Sequence, residues 1–211
     1  QAITVSTNQA ASELRLVAAM KQRMNATDDT IQSVRDLISA QSHIGVLGKD
    51  VVTMGAQQLA YYTQSAEALE ALIPRMNNLL VRQEGFNASI EQAQEMAVRL
   101  GEALSENSLE PLRSADIPIT DAEVETFKKL RTEEEKVAYL TALIDERVGN
   151  LNESLAQTPY GAIQQLKNNF SALLGTLGMI IVNAIQPLVQ WLNVVVVACD
   201  NALKALAGLF G

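Results

Sequence analysis

The residues able to do chemistry are few, and their spacing is poor for it. His43 is the only histidine and Cys199 the only cysteine, far apart in the chain. A cysteine nucleophile needs a base within hydrogen-bonding reach to raise its thiolate population, and neither residue sits in a local motif that predicts such a meeting. His43 reads as a polar residue at a helix end and Cys199 as a buried one. Glu133-Glu134-Glu135 offers three carboxylates in a row. Successive helical positions point in different directions, whereas acidic residues suit the positive end of a helix dipole. A helix start is therefore expected there, rather than a metal or acid–base site. No phosphate-cradling glycine loop, HExxH, CxxC or EF-hand spacing occurs. Asn25, Asn87, Asn152 and Asn169 each open an Asn-x-Ser/Thr triplet, which carries no meaning without a secretory signal. Tyr61-Tyr62 reads as one partly buried tyrosine beside an exposed one. The expectation is a protein that is not an enzyme and holds no cofactor or metal.

Composition points the same way. A net charge of −8 with pI near 4.7 argues against neutralising a phosphate backbone, so no direct nucleic-acid binding is expected. With one cysteine no intramolecular disulfide can form. Aromatics make up 4% of the chain, and strands draw on aromatic and β-branched residues, so an all-α fold is expected. The chain opens at Gln1 with neither Met nor a signal-like segment, which reads as a piece of a longer polypeptide or a processed product.

These residues sit on a succession of helices. Ala11, Leu14, Val17, Met20 and Met24 recur at helical spacing over 8–24. Asn25 to Asp29 break that helix, and Ile31, Val34, Leu37 and Ile38 form the next apolar face, up to Gly45 and Gly48. One longer helix is then expected from Lys49 to Gly85, bent at Pro74. Ser89 to Gln92, Thr120 to Glu123 and Thr132 to Glu135 are three capping boxes, the second flanked by a hydrophobic staple of Ile119 and Val124. Residues 105–119 read as loop or short turns. Thr158-Pro159 places an N-cap before a proline at the first helical position. Two parts follow: a helical bundle over 8–157 and an apolar helical segment over 158–211.

The second part begins a charge-free block from Asn168 to Cys199. Its spacing is sided. Ile163, Leu166, Phe170, Leu173, Leu177 and Ile180 make an apolar seam. Gln165, Asn169, Thr176, Asn183, Gln186, Gln190 and Asn193 make a polar stripe, expected on the opposite side of the helix. A transmembrane helix needs ~20 predominantly apolar residues, and Asn183, Gln186 and Pro187 divide the block into two shorter apolar halves. A single-pass anchor is thus disfavoured against a long helix kinked near Pro187, or a hairpin turning there, that is sheltered by protein and membrane-active on release.

Several stretches taken in order resemble the tail tape measure proteins of long-tailed bacteriophages and prophages. They are Gly45-Val-Leu-Gly48, Met54-Gly-Ala-Gln-Gln-Leu-Ala60, Leu72-Ile-Pro74, Arg99-Leu-Gly-Glu-Ala-Leu104 and Ile117-Pro-Ile-Thr-Asp-Ala-Glu123. The longest is Gln157-Thr-Pro-Tyr-Gly-Ala-Ile-Gln-Gln-Leu-Lys-Asn-Asn-Phe170, leading to Leu177-Gly178. The resemblance covers roughly residues 30–190. It implies a structural protein of the tail-tube lumen, with tube subunits, tail chaperones or other copies of itself as partners. The apolar segment would meet the host membrane during DNA ejection. No catalytic residue carries over. Rivals of other classes are a pore-forming or envelope-associated helical protein, and a soluble adaptor that binds a partner through its last helices.

Overall fold

The computed structural model describes residues 2–171 and 173, with side chains from Ala10 onward. Among them every regular element is helical and no strand occurs. The elements are α1 (Ala2–Met24), α2 (Asp28–Ile44), α3 (Lys49–Leu59), α4 (Ala66–Glu84), α5 (Ile90–Ser105), α6 (Glu110–Arg113), α7 (Asp121–Phe127), α8 (Glu133–Arg147) and α9 (Leu151–Ala156). A further helix, α10, occupies 159–171. Residues 8–172 form one compact unit. No helix among the described residues is long and apolar enough to cross a membrane.

α4 is the axis of this unit. It packs against α2, α3, α5, α8 and α9, and its buried residues, from Ala66 to Val81, face neighbours on all sides. The most extensive helix pair is α3 on α5. That closeness has a local cause: the Tyr62 ring lies over Gly101, where a Cβ would come 2.1 Å from Cγ. Only glycine admits the ring there.

All three capping boxes form as their spacing predicts, at Ser89/Gln92, Thr120/Glu123 and Thr132/Glu135. Each satisfies backbone N–H groups that a helix start leaves unpaired. Ile119 and Val124, the expected staple pair, are both buried. Gly85 ends α4 at φ 60°, a left-handed conformation open to glycine without a Cβ penalty.

Two expectations are corrected. The helix expected from Lys49 to Gly85 is two helices, broken over residues 60–65. Pro74 lies inside uninterrupted α4. The break carries neither Gly nor Pro. It is made by Ser65, whose side chain accepts from the Ala68 amide, and by Glu133 across the fold, which accepts from the Gln64 amide at 2.6 Å and the Ser65 hydroxyl at 2.8 Å. In α1, Leu16, Ala19 and Met20 are buried in the core, with Val17 and Met24 packed against it, while Leu14 is exposed. Of the expected face, Met20 is buried and Val17 and Met24 are partly buried against the core, but Leu14 does not pack.

Candidate interaction face

α10 begins where the sequence placed it. The Thr158 hydroxyl accepts from the Gly161 amide at 3.0 Å and donates to the Leu155 carbonyl at 2.7 Å, with Pro159 at the first helical position. Gly161 sits so close to the end of α9 that a Cβ would lie 1.9 Å from the Leu155 carbonyl oxygen. That oxygen is backbone, so the only remedy for a larger residue is to move the helix. Tyr160 meets Phe86 edge to face, with centroids 4.7 Å apart, a favoured aromatic geometry.

The rest of α10 is held by amide side chains. Gln165 donates to the His43 carbonyl at 3.0 Å and Asn168 to the Val46 carbonyl at 2.8 Å. Both acceptors lie at the junction of α2 and α3. The same junction is fixed from α9: the Val46 amide donates to the Asn152 side chain at 2.9 Å, and the Asn152 amide to the Asn78 side chain at 3.0 Å. Polar groups of α9 and α10 thus close the backbone of a loop whose apolar side chains, Val46 and Leu47, are buried.

The apolar residues of α10 turn the other way. Ile163 is 65% exposed, Leu166 70%, Phe170 60% and, at the next described helical position, Leu173 54%. At 100° per residue, the middle of this seam lies about 180° around the helix from the middle of Gln164, Gln165 and Asn168. Shelter by protein, the expected arrangement, does not reach Ile163, Leu166 and Phe170 within the bundle's own unit. Asn169 and Lys167 are exposed on the flanks. Leu177, Ile180, Thr176, Asn183, Gln186, Gln190 and Asn193 lie outside the described residues, as do Pro187 and Cys199.

The other candidate chemistry resolves into scaffolding. His43 is exposed on the last turn of α2. The glutamate triplet disperses: Glu133 ties the start of α4, and Glu135 accepts from the Arg131 and Thr132 amides. Those two amide bonds hold the Glu135 carboxyl below the usual carboxylate range. No group of three His, Cys, Asp or Glu residues able to hold a metal occurs among the described residues. Asn152 is buried, so its triplet is closed to modification in the folded unit. Tyr62 is half-buried and Tyr61 exposed, in a cleft of about 610 Å³ with Arg131 and Lys136.

One electrostatic clasp was missed by sequence reasoning. Arg147, at the end of α8, donates to Glu123 at 2.7 Å and to the Pro118 carbonyl at 3.2 Å. The Glu123 carboxyl is held below its ordinary value, first by the Thr120 amide and hydroxyl, then by Arg147. The capping box gave away Glu123's local role, but no spacing rule joins it to a residue one helix further on.

No protein-family model matches the chain, and no curated protein or solved structure matches it.

Proposed function

We propose that this chain is a structural, non-enzymatic module of a phage tail tape measure protein. Its bundle, residues 8–157, carries a C-terminal segment, residues 158–211, that forms a long apolar helix kinked at Pro187. That segment is stored against tube subunits, tail chaperones or other copies in the lumen of the tail tube, and it enters the host envelope on ejection. The resembling stretches, taken in sequence from Gly45 to Gly178, support the family. The observation that carries the role is the outward seam of Ile163, Leu166 and Phe170. A surface helix that keeps large side chains exposed in a row marks a place for something to bind.

The module is not itself the ruler. A measuring rod gains ~1.5 Å per residue as an extended helix, whereas residues 8–172 are a compact unit of several packed helices. The test is tail-tube polymerisation with the complete open reading frame co-expressed. Assembled tubes that retain this chain's region in their lumen are expected. Assembled tubes from which this region is absent would sink the reading.

The same seam favours a second reading, an envelope-active protein that needs no tail. Dye release from liposomes by this chain alone, at low protein-to-lipid ratio, separates the two. Release without any other tail component supports this second reading against the first.

A further inference from the structure

We infer that α10 is a releasable strap: residues 159–171 lift off the bundle about the turn at Gln157 and Thr158 while the bundle stays folded. Across those residues the only buried one is Gly161, which has no side chain to bury. None of the apolar side chains of 159–171 packs against the core. α9, immediately before it, contributes buried Ala156 and the partly buried Leu151 and Leu155. The removal of apolar surface from water is the dominant force holding elements to a fold, and along this chain it stops at the end of α9.

What holds α10 is polar and open to water. Gln165 donates to the His43 carbonyl in an exposed bond, and Asn168 to the Val46 carbonyl in a half-buried one. Gln164 donates to the Asn168 side-chain oxygen at 3.4 Å, which leaves the Asn168 nitrogen for Val46. The His43 carbonyl is among the last four of α2, which find no partner within their own helix. Water takes over these acceptors when α10 leaves. Release therefore costs the net value of two hydrogen bonds, each roughly fivefold in the ratio of docked to undocked, and the edge contact of Tyr160 with Phe86. The bundle keeps its own ties through α9: the Val46 amide stays bonded to Asn152, and the Asn152 amide to Asn78. Openings of this size, well short of global unfolding, are how single segments leave a folded protein.

This inference rests on the contacts of α10 and not on the tail reading, although release of the C-terminal segment would begin at this strap. Native-state hydrogen exchange on the whole chain tests it, because a helix that loses its docking loses most of what keeps it helical. The amides of 163–171 should be protected relative to an unstructured peptide, yet exchange at least ~100-fold faster than those at the centre of α4, which open with the whole bundle. Gln165→Glu combined with Asn168→Asp keeps the side-chain shapes and removes both donors. It should speed exchange in α10 about 30-fold and leave α4 unchanged. The control is Asn169→Asp, exposed on the same helix, which should change exchange less than ~3-fold. Protection of α10 equal to that of α4 overturns the strap, since the helix then opens only with the bundle. Protection no greater than that of an unstructured peptide overturns the docking, and the strap with it. A double variant that exchanges no faster than Asn169→Asp, or that accelerates α4 as much as α10, also overturns the inference. None of these results bears on whether assembled tubes retain the region, so the tail reading stands or falls separately.

Discussion

α4 and α10 carry similar apolar residues at similar spacing and do opposite things with them. In α4, Leu69, Leu72, Ile73 and Met76 are fully buried, and Asn77 and Asn78 beside them are buried too, with Asn77 donating to Gln41. In α10, the polar residues are the ones that dock, and Ile163, Leu166 and Phe170 stand in solvent. The difference teaches that apolar periodicity marks a face but does not say which side of the helix the fold has already covered. In α10 that is decided by two amide side chains finding backbone carbonyls at the α2–α3 junction. A helix held mainly through hydrogen bonds, each worth ~1 kcal/mol net, also costs less to release than one held by a core.

The largest effect that would sharpen this contrast is a pair of truncations read by urea unfolding. Leu72→Ala should cost ~2–5 kcal/mol, as a fully buried leucine in the axial helix. A loss below 1 kcal/mol would mean that α4 is not the axis. Next comes Gly161→Ala, expected to cost ~1–3 kcal/mol because the added Cβ can only be accommodated by shifting backbone. Hydrogen exchange should then speed up at the His43–Val46 junction, which α10 helps to close. Unchanged exchange there would break the link between the glycine and the docking.

Thr120→Ala should cost about 1 kcal/mol, the usual value of an N-cap, and should loosen α7 without touching α10. The clasp at Glu123 predicts a pH dependence. Its folded-state pKa lies below the ordinary value of 4.5, so its stabilising contribution is present above that value and is lost as pH falls through the lower, folded one. Glu123→Gln should therefore flatten the acid limb of stability against pH below about 4.5. An identical acid limb in the variant would assign the loss to other carboxylates. The smallest effect belongs to the seam: Leu166→Ala should change monomer stability by less than ~0.5 kcal/mol, like other exposed substitutions.

Much of this architecture could be read before the structure, and the reasons are local. The capping boxes at Ser89, Thr120 and Thr132 and the start at Thr158-Pro159 are decided within four residues, so spacing alone finds them. The break at 60–65 is different. It depends on Glu133, which arrives from far along the chain to hold Gln64 and Ser65, and no turn residue announces it. The outward direction of the seam was hidden for the same reason: Gln165 and Asn168 find their partners only once α2 and α3 are folded. Leu14 shows the limit within one helix, since it fits the apolar spacing of α1 yet stays exposed beside buried Leu16.

The central claim is that Phe170 belongs to an outward face and not to the core. Urea unfolding of Phe170→Glu beside the parent chain, both diluted until monomeric by sedimentation, tests it most directly. A stability unchanged within ~0.5 kcal/mol is predicted, as for other exposed positions. A loss above ~3 kcal/mol, the size expected when a charge replaces a buried aromatic, would place Phe170 in the core and contradict the account.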